Sequence, residues 1–363
     1  MPAQLLYPDF WRCAVVPAYL TGRQPHALTV AKRAFRLADN GGLIPVTEDE
    51  APCAGLMGDM AAPSGPTVGP YYASDFVPYK PQTDLLLTGM AHVAEPVASC
   101  RVRFQVGRWQ KTLLVVGNRI WTDQAGRTVA SAPEPFQSMA LGWDRSFGGP
   151  EDRRNPVGRG VADIATAAGT AVRPLPNVEN PSDVIRHPGD RPTPVGFGPM
   201  AADWAGRKPR TGTWDDAWLK ACWPGFPDDF DWRHFNAAPA DQRRDEALQG
   251  DETLRLDNLI AGHPVYETAL PGLRPRAFVR AVTETGRAFT EVPMRADTLW
   301  IESRERLLVL VWRGAVPVSS DDLESLTHLY VAEERVDQDS APAEDHYAAF
   351  KAATQGQATV DDA

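Results

Sequence analysis

The chain has 363 residues, enough for one large or two ordinary domains with a sizeable core. Its 37 Lys and Arg against 47 Asp and Glu leave a net charge of −10, which argues against nucleic acid and anionic membrane as partners, since both call for a basic surface. Four cysteines, Cys13, Cys53, Cys100 and Cys222, show no CxxC spacing and read as free thiols of a reducing compartment.

The start of the chain lacks a basic stretch followed by an apolar run, and no apolar run approaches bilayer length, so a cytoplasmic location is expected. Ala14–Leu20 and Ala27–Arg36 flank the turn residues Thr21-Gly22-Arg23-Gln24-Pro25 and predict a hairpin. Residues 38–82 carry Gly, Pro and Tyr without period and read as loop. Asp84–Val93, Ala98–Val106 and Gln110–Val116 predict three consecutive antiparallel strands, and Arg119–Thr122 a short fourth. The middle strand alternates Val102, Phe104 and Val106 against Arg101, Arg103 and Gln105.

Residues 133–250 break this pattern with recurrent Pro and Gly. A helix is predicted over Asp215–Trp223, with Thr213 as cap, Asp215 and Asp216 in its first turn and Pro224-Gly225 as stop. A second short helix is predicted at Ala240–Gln249. Strand signals resume at Arg276–Thr283, turn at Thr285-Gly286, and continue through Phe289–Met294, Thr298–Glu302, Leu307–Trp312 and Leu326–Ala332. Leu307–Trp312 is continuously apolar, as for a strand covered on both faces. Eight Asp or Glu follow Ala332, so the end reads as an acidic tail, with a frayed helix near Ala343–Ala353. The expectation is a mainly β fold of antiparallel sheets, sandwich- or barrel-like, carrying a long irregular insert. One domain over residues 1–336 (β-rich 1–132, insert 133–250, β-rich 251–336) would precede a tail at 337–363.

The insert is the most informative part. Five of the eleven tryptophans fall between Trp204 and Trp232, beside Pro-Gly turns and carboxylates. Such a stretch is too aromatic for disorder, and long ordered loops are disproportionately functional. Most of Trp143, Trp214, Trp218, Trp223 and Trp232 are expected to be buried and to pin the segment. A partner surface is then expected on the 38–82 loop, where Tyr71, Tyr72, Phe76 and Tyr79 cluster.

Catalytic signatures are absent: no G-x-S-x-G, H-E-x-x-H or Walker sequence occurs, and the seven histidines stand singly. Asp228, Asp229 and Asp231, beside Arg233, could in principle bind a hard cation or cleave a sugar. The plainer reading is that they cap turns and pair with arginines. Asp144 and Arg145, between Trp143 and Phe147, read as a buried ion pair that clasps a loop. Trp218 and Trp232 complete the set of structural or binding candidates. No catalytic residue, metal or cofactor is assigned.

Several motifs then occur in a fixed order: Leu141-Gly142-Trp143-Asp144-Arg145-Ser146-Phe147-Gly148-Gly149, Arg154-Asn155-Pro156-Val157-Gly158-Arg159-Gly160, Leu175-Pro176-Asn177-Val178-Glu179, Gly196-Phe197-Gly198-Pro199 and Phe226-Pro227-Asp228-Asp229-Phe230-Asp231-Trp232. Phe235-Asn236-Ala237-Ala238-Pro239, Asp241-Gln242-Arg243 and Leu270-Pro271-Gly272-Leu273-Arg274-Pro275 follow. Over roughly Tyr7 to Glu333 the series resembles the bacterial domain-of-unknown-function family DUF2169. Its members are encoded beside VgrG spike proteins, PAAR tip proteins and toxic effectors of the type VI secretion system. The resemblance implies a non-enzymatic effector adaptor or chaperone whose partners are a cognate effector and a VgrG or PAAR protein. The alternatives are a metal-dependent or carboxylate-based hydrolase working at Asp228, Asp229 and Asp231, and a structural component that leaves with the spike.

Overall fold

Period-two patterning becomes strand almost throughout. The computed structural model describes residues 3–62, 65, 68–165, 171–283, 286–318 and 326–354. In chain order its longer strands are β1 (Trp11–Tyr19), β2 (Pro25–Leu37), β3 (Thr83–Thr88), β4 (Met90–Val97), β5 (Ser99–Val106), β6 (Trp109–Val116), β7 (Thr253–Ile260), β8 (His263–Ala269), β9 (Leu273–Thr283), β10 (Gly286–Val292), β11 (Arg295–Glu302), β12 (Leu307–Pro317) and β13 (Leu326–Arg335). Helices α1 (Asp216–Ala221) and α2 (Ala343–Thr354) accompany them.

The largest sheet runs in the order β3-β11-β12-β2-β1, with Arg243–Arg244 outside β3 and Leu43–Pro45 also on β2. Only the β3–β11 pair in it is parallel. A second, antiparallel sheet orders Val178–Glu179, β6, β5, β7 and β8. A third orders Gln4–Leu6, β13, β9 and β10. The fold is mainly β, and among the described residues no sheet closes into a barrel.

β12 divides the core. Leu308, Leu310 and Trp312 point into one cluster with Val102, Phe104 and Leu254, while Leu307, Val309 and Val311 point into another with Trp300, Tyr72 and Ala54. An apolar run on alternating Cβ directions does this only when both faces are covered. Val102, Phe104 and Val106 are fully buried, as their alternation predicts.

Four expectations are corrected. Asp84–Val93 is not one strand: it breaks at Gly89, whose φ of 123° is outside the ordinary range of other residues, and β3 and β4 join different sheets. A Cβ at Gly89 would lie 2.2 Å from Ser303 Oγ, so the site is closed to other residues on both counts. The helix expected at Ala240–Gln249 reduces to a single 3-10 turn, Ala240–Gln242, before the chain joins the β3 edge. Arg119–Thr122 does not extend the meander; Trp121–Gln124 forms its own hairpin with Arg127–Ala130. The acidic tail is not merely frayed: α2 docks on the third sheet through Phe350 and His346, both buried, with His346 Nε2 2.9 Å from Glu334 Oε1. Thr285 of the predicted turn and the tail beyond Thr354 lie outside the described residues.

Polar bonds reach across the sequence to hold the irregular segment on the large sheet. The carboxylate of Asp84, fully buried on β3, meets Lys80 Nζ at 3.0 Å and accepts from Asn236 Nδ2 and Ala237 N, each at 2.9 Å. Gln242, also fully buried, donates to the carbonyls of Leu85 and Phe197 and accepts from Lys111 Nζ at 2.7 Å. Buried polar groups persist when satisfied in this way, and here they give the motifs around Asn236 and Gln242 their structural task.

Candidate binding surface

Trp143 behaves as core. Its ring is 4% exposed, its Nε1 donates to Pro199 O at 2.8 Å, and the Gly196-Phe197-Gly198-Pro199 turn lies against it. A Cβ on Gly196 would stand 3.2 Å from the indole, which accounts for glycine there. Next to it, Asp144 Oδ2 lies 3.5 Å from Arg145 Nε and 3.4 Å from Arg159 Nη2, and Arg159 Nε donates to Asp144 O at 2.7 Å. The clasp is therefore half-buried and held mainly through Arg159, whose role the sequence alone did not indicate. Burial pushes the Asp144 carboxyl up from its ordinary value against the pull of Arg145 and Arg159. Arg145 reaches on to Asn177 Oδ1 at 3.2 Å.

Trp214, Trp218, Trp223 and Trp232 are arranged otherwise. α1 has only six residues and is capped by Asp215, not Thr213: Asp215 Oδ1 accepts from Trp218 N at 2.9 Å. None of its six residues is buried: Leu219 is 53% exposed, and only Cys222, its C-cap, turns inward. Trp214 and Trp223 are 50% and 54% exposed, and Trp218 is half-buried between them. The rings nevertheless touch, with Trp214–Trp218 centroids 4.6 Å apart and Trp218–Trp223 5.9 Å apart. Backbone carbonyls fix two indoles, Trp214 on Thr211 and Trp218 on Gly225.

The row continues inward. Trp214 meets Phe226, which packs on Phe230, Phe235 and the half-buried Trp232. Trp232 then meets Tyr79 at 5.9 Å, and Tyr79 is 44% exposed. Tyr79 thus joins the aromatics of residues 214–235 in one platform. The expectation that most of these tryptophans are core is overturned: of Trp143, Trp214, Trp218, Trp223 and Trp232, only Trp143 is buried. Of the aromatics expected to form a surface on residues 38–82, Tyr72 is buried core, whereas Phe76 and Tyr79 are exposed.

The carboxylates around this platform are mostly committed. Asp229 Oδ1 accepts from Thr213 N at 2.9 Å and Oδ2 from Thr213 Oγ1 at 2.8 Å, bonds that hold its pKa below the usual carboxylate range. Asp231 accepts the Arg233 backbone N–H and its guanidinium, with Arg210 Nε at 3.4 Å, and is likewise lowered, chiefly by Arg233. Arg233 itself is exposed. Asp228 is exposed and makes no hydrogen bond to another described residue. Among the described residues no three His, Cys, Asp or Glu are grouped to hold a metal ion, and no helix is long and apolar enough to cross a membrane. What the arrangement offers chemically is an ordered aromatic face rimmed by Asp215, Asp216, Asp228 and Asp229, all exposed. Large exposed apolar clusters of this kind mark interaction sites.

Residues 22–313 match a family described as an uncharacterized protein conserved in bacteria, DUF2169. The chain belongs to this family. Its match spans most of the sheets, the Trp143 clasp and the aromatic platform of this DUF2169 member. No curated protein and no solved structure shows significant similarity to it.

Proposed function

We propose that this DUF2169 protein is a binding protein, an adaptor that holds a cognate type VI effector in the cytoplasm and promotes its loading onto a VgrG or PAAR spike protein. The observation that carries this is the exposure of Trp214, Leu219 and Trp223 on an ordered, polar-anchored segment. Tryptophan is the residue most enriched at binding hot spots, and rings held by neighbouring rings and carbonyls cost little entropy to dock. The exposed Asp215 and Asp216 beside them favour a partner segment that is apolar and basic. The secretion context rests on the motif series from Leu141 to Pro275, which resembles chains encoded beside spike and effector genes. Deleting this chain in its native bacterium should lower the secretion of one neighbouring effector while the apparatus still fires. Unchanged secretion of every neighbouring effector would refute the proposal.

A further inference from the structure

A concave site lies beside the aromatic segment, which it meets where Arg207 bonds the His234 carbonyl. It is a cleft of about 460 Å³ between Asp59, Met60, Ala61, Gly69 and Pro70 on one side and the 199–207 turn on the other. Met60, Pro70, Val157 and Met200 supply apolar walls, and Trp204 and Arg207 lie between them. Both of the latter are nearly buried, at 4% and 5% exposure. Trp204 is locked edge-on against Trp143, with centroids 5.4 Å apart. Arg207 donates from Nε to His234 O at 2.8 Å and from Nη1 to Met200 O at 2.6 Å.

Each keeps a donor nitrogen in hand. Neither Arg207 Nη2 nor the Trp204 indole N–H has an acceptor among the described residues. Asp59 and Asp203, both exposed, stand on the rim and disfavour a ligand carboxylate, so the acceptor these donors suit is neutral. A group that offers a neutral carbonyl and an N–H together is the peptide unit. One wall is the two-stranded ribbon Met60–Ala61/Pro70–Tyr72, and among the described residues no third strand pairs with it. An unpaired strand edge beside an apolar pocket is the setting in which extended peptides bind.

We propose that this cleft binds an extended segment of a partner polypeptide carrying one apolar side chain. Its carbonyls accept from Arg207 and Trp204, and an amide N–H donates to Asp59 or Asp203. This goes beyond the adaptor proposal and stands apart from it, since the cleft contains none of Trp214, Trp218 and Trp223 and its test needs no secretion partner.

The test is an NMR titration of the full chain with 15N-labelled indoles, the Trp204 signal being the one missing from Trp204→Phe. The probes are four blocked peptides, Ac-Ser-Ala-X-Ala-Ser-NH2 with X as Leu, Met, Phe or Val, the same peptide with X as Asp, and octanoate. At least one apolar peptide should move the Trp204 indole signal saturably downfield, and the Asp peptide should bind at least tenfold more weakly. Arg207→Gln should weaken binding about tenfold, the loss of one charge-assisted hydrogen bond. Because Arg207 also ties two backbone carbonyls, Ala202→Trp serves as a second variant: Ala202 is exposed on the cleft wall, and filling the space should abolish the shift. No saturable shift with any apolar peptide overturns the proposal, as does equal binding of the Asp peptide or a persistent shift in Ala202→Trp. Tighter binding of octanoate than of every peptide would assign the cleft to a small carboxylate instead.

Discussion

Trp143→Ala and Trp223→Ala should differ sharply in stability although both remove an indole from the same segment. Trp143 is 4% exposed and donates to Pro199 O, whereas Trp223 is 54% exposed. Emptying a buried Trp site costs about 3–5 kcal/mol in lost transfer energy and residual cavity. The orphaned carbonyl adds about 1 kcal/mol. For Trp223 roughly half the ring is already in water, and solvent fills what is removed. At about 25 cal/mol per Å2 over some 100 Å2, the cost is at most about 2.5 kcal/mol. Trp214→Ala falls in the same range, its ring being 50% exposed. Urea unfolding followed by far-ultraviolet circular dichroism gives both numbers. If Trp223→Ala destabilises as much as Trp143→Ala, or Trp143→Ala lies within about 1 kcal/mol of wild type, the division into core and surface tryptophans is wrong.

Asp84→Ala should cost about 3–5 kcal/mol in the same assay, because it strands the buried Lys80 ammonium and frees Asn236 and Ala237. The Asp84 carboxyl titrates below its ordinary value: burial pushes it up, but Lys80, Asn236 and the Ala237 N–H together outweigh burial. Its contribution is therefore fully present above the unfolded value of about 4 and is lost as pH falls through the lower folded value. Stability measured from pH 6 downward should drop less steeply in Asp84→Asn than in wild type. Changing Asp228, Asp229 and Asp231 together to Asn should leave co-purification with the partner intact, provided melting shows a folded protein. Abolished capture by that folded variant would return these carboxylates to a functional role.

Local patterns carried the sheets because local physics decides them. Alternation along Ser99–Val106 and the apolar run of β12 specify faces before any partner is known. The β7–β8 hairpin went unseen within the stretch read as β-rich. Its strands carry Arg255, Asp257, His263 and Glu267, and a register shift between Asp257 and Ile260 interrupts the alternation. The tryptophans were misread because indole suits both core and interface, so composition gives density without exposure. The turn around α1 decides exposure, and it depends on contacts that local sequence does not encode. Asn236 and Gln242 bond to residues more than 150 positions away, and Arg207 joins Met60 only in three dimensions.

On this proposal the aromatic face of Trp214, Trp218 and Trp223 is a protein-binding site. The decisive measurement is affinity capture from the native bacterium with wild type and with the Trp214→Ala/Trp223→Ala double variant, eluates being compared by quantitative mass spectrometry. Wild type should enrich one effector or its VgrG or PAAR carrier, and the double variant, folded by the urea criterion above, should lose at least tenfold of that enrichment. Equal capture by both proteins, or no spike component or effector captured by wild type, would contradict it.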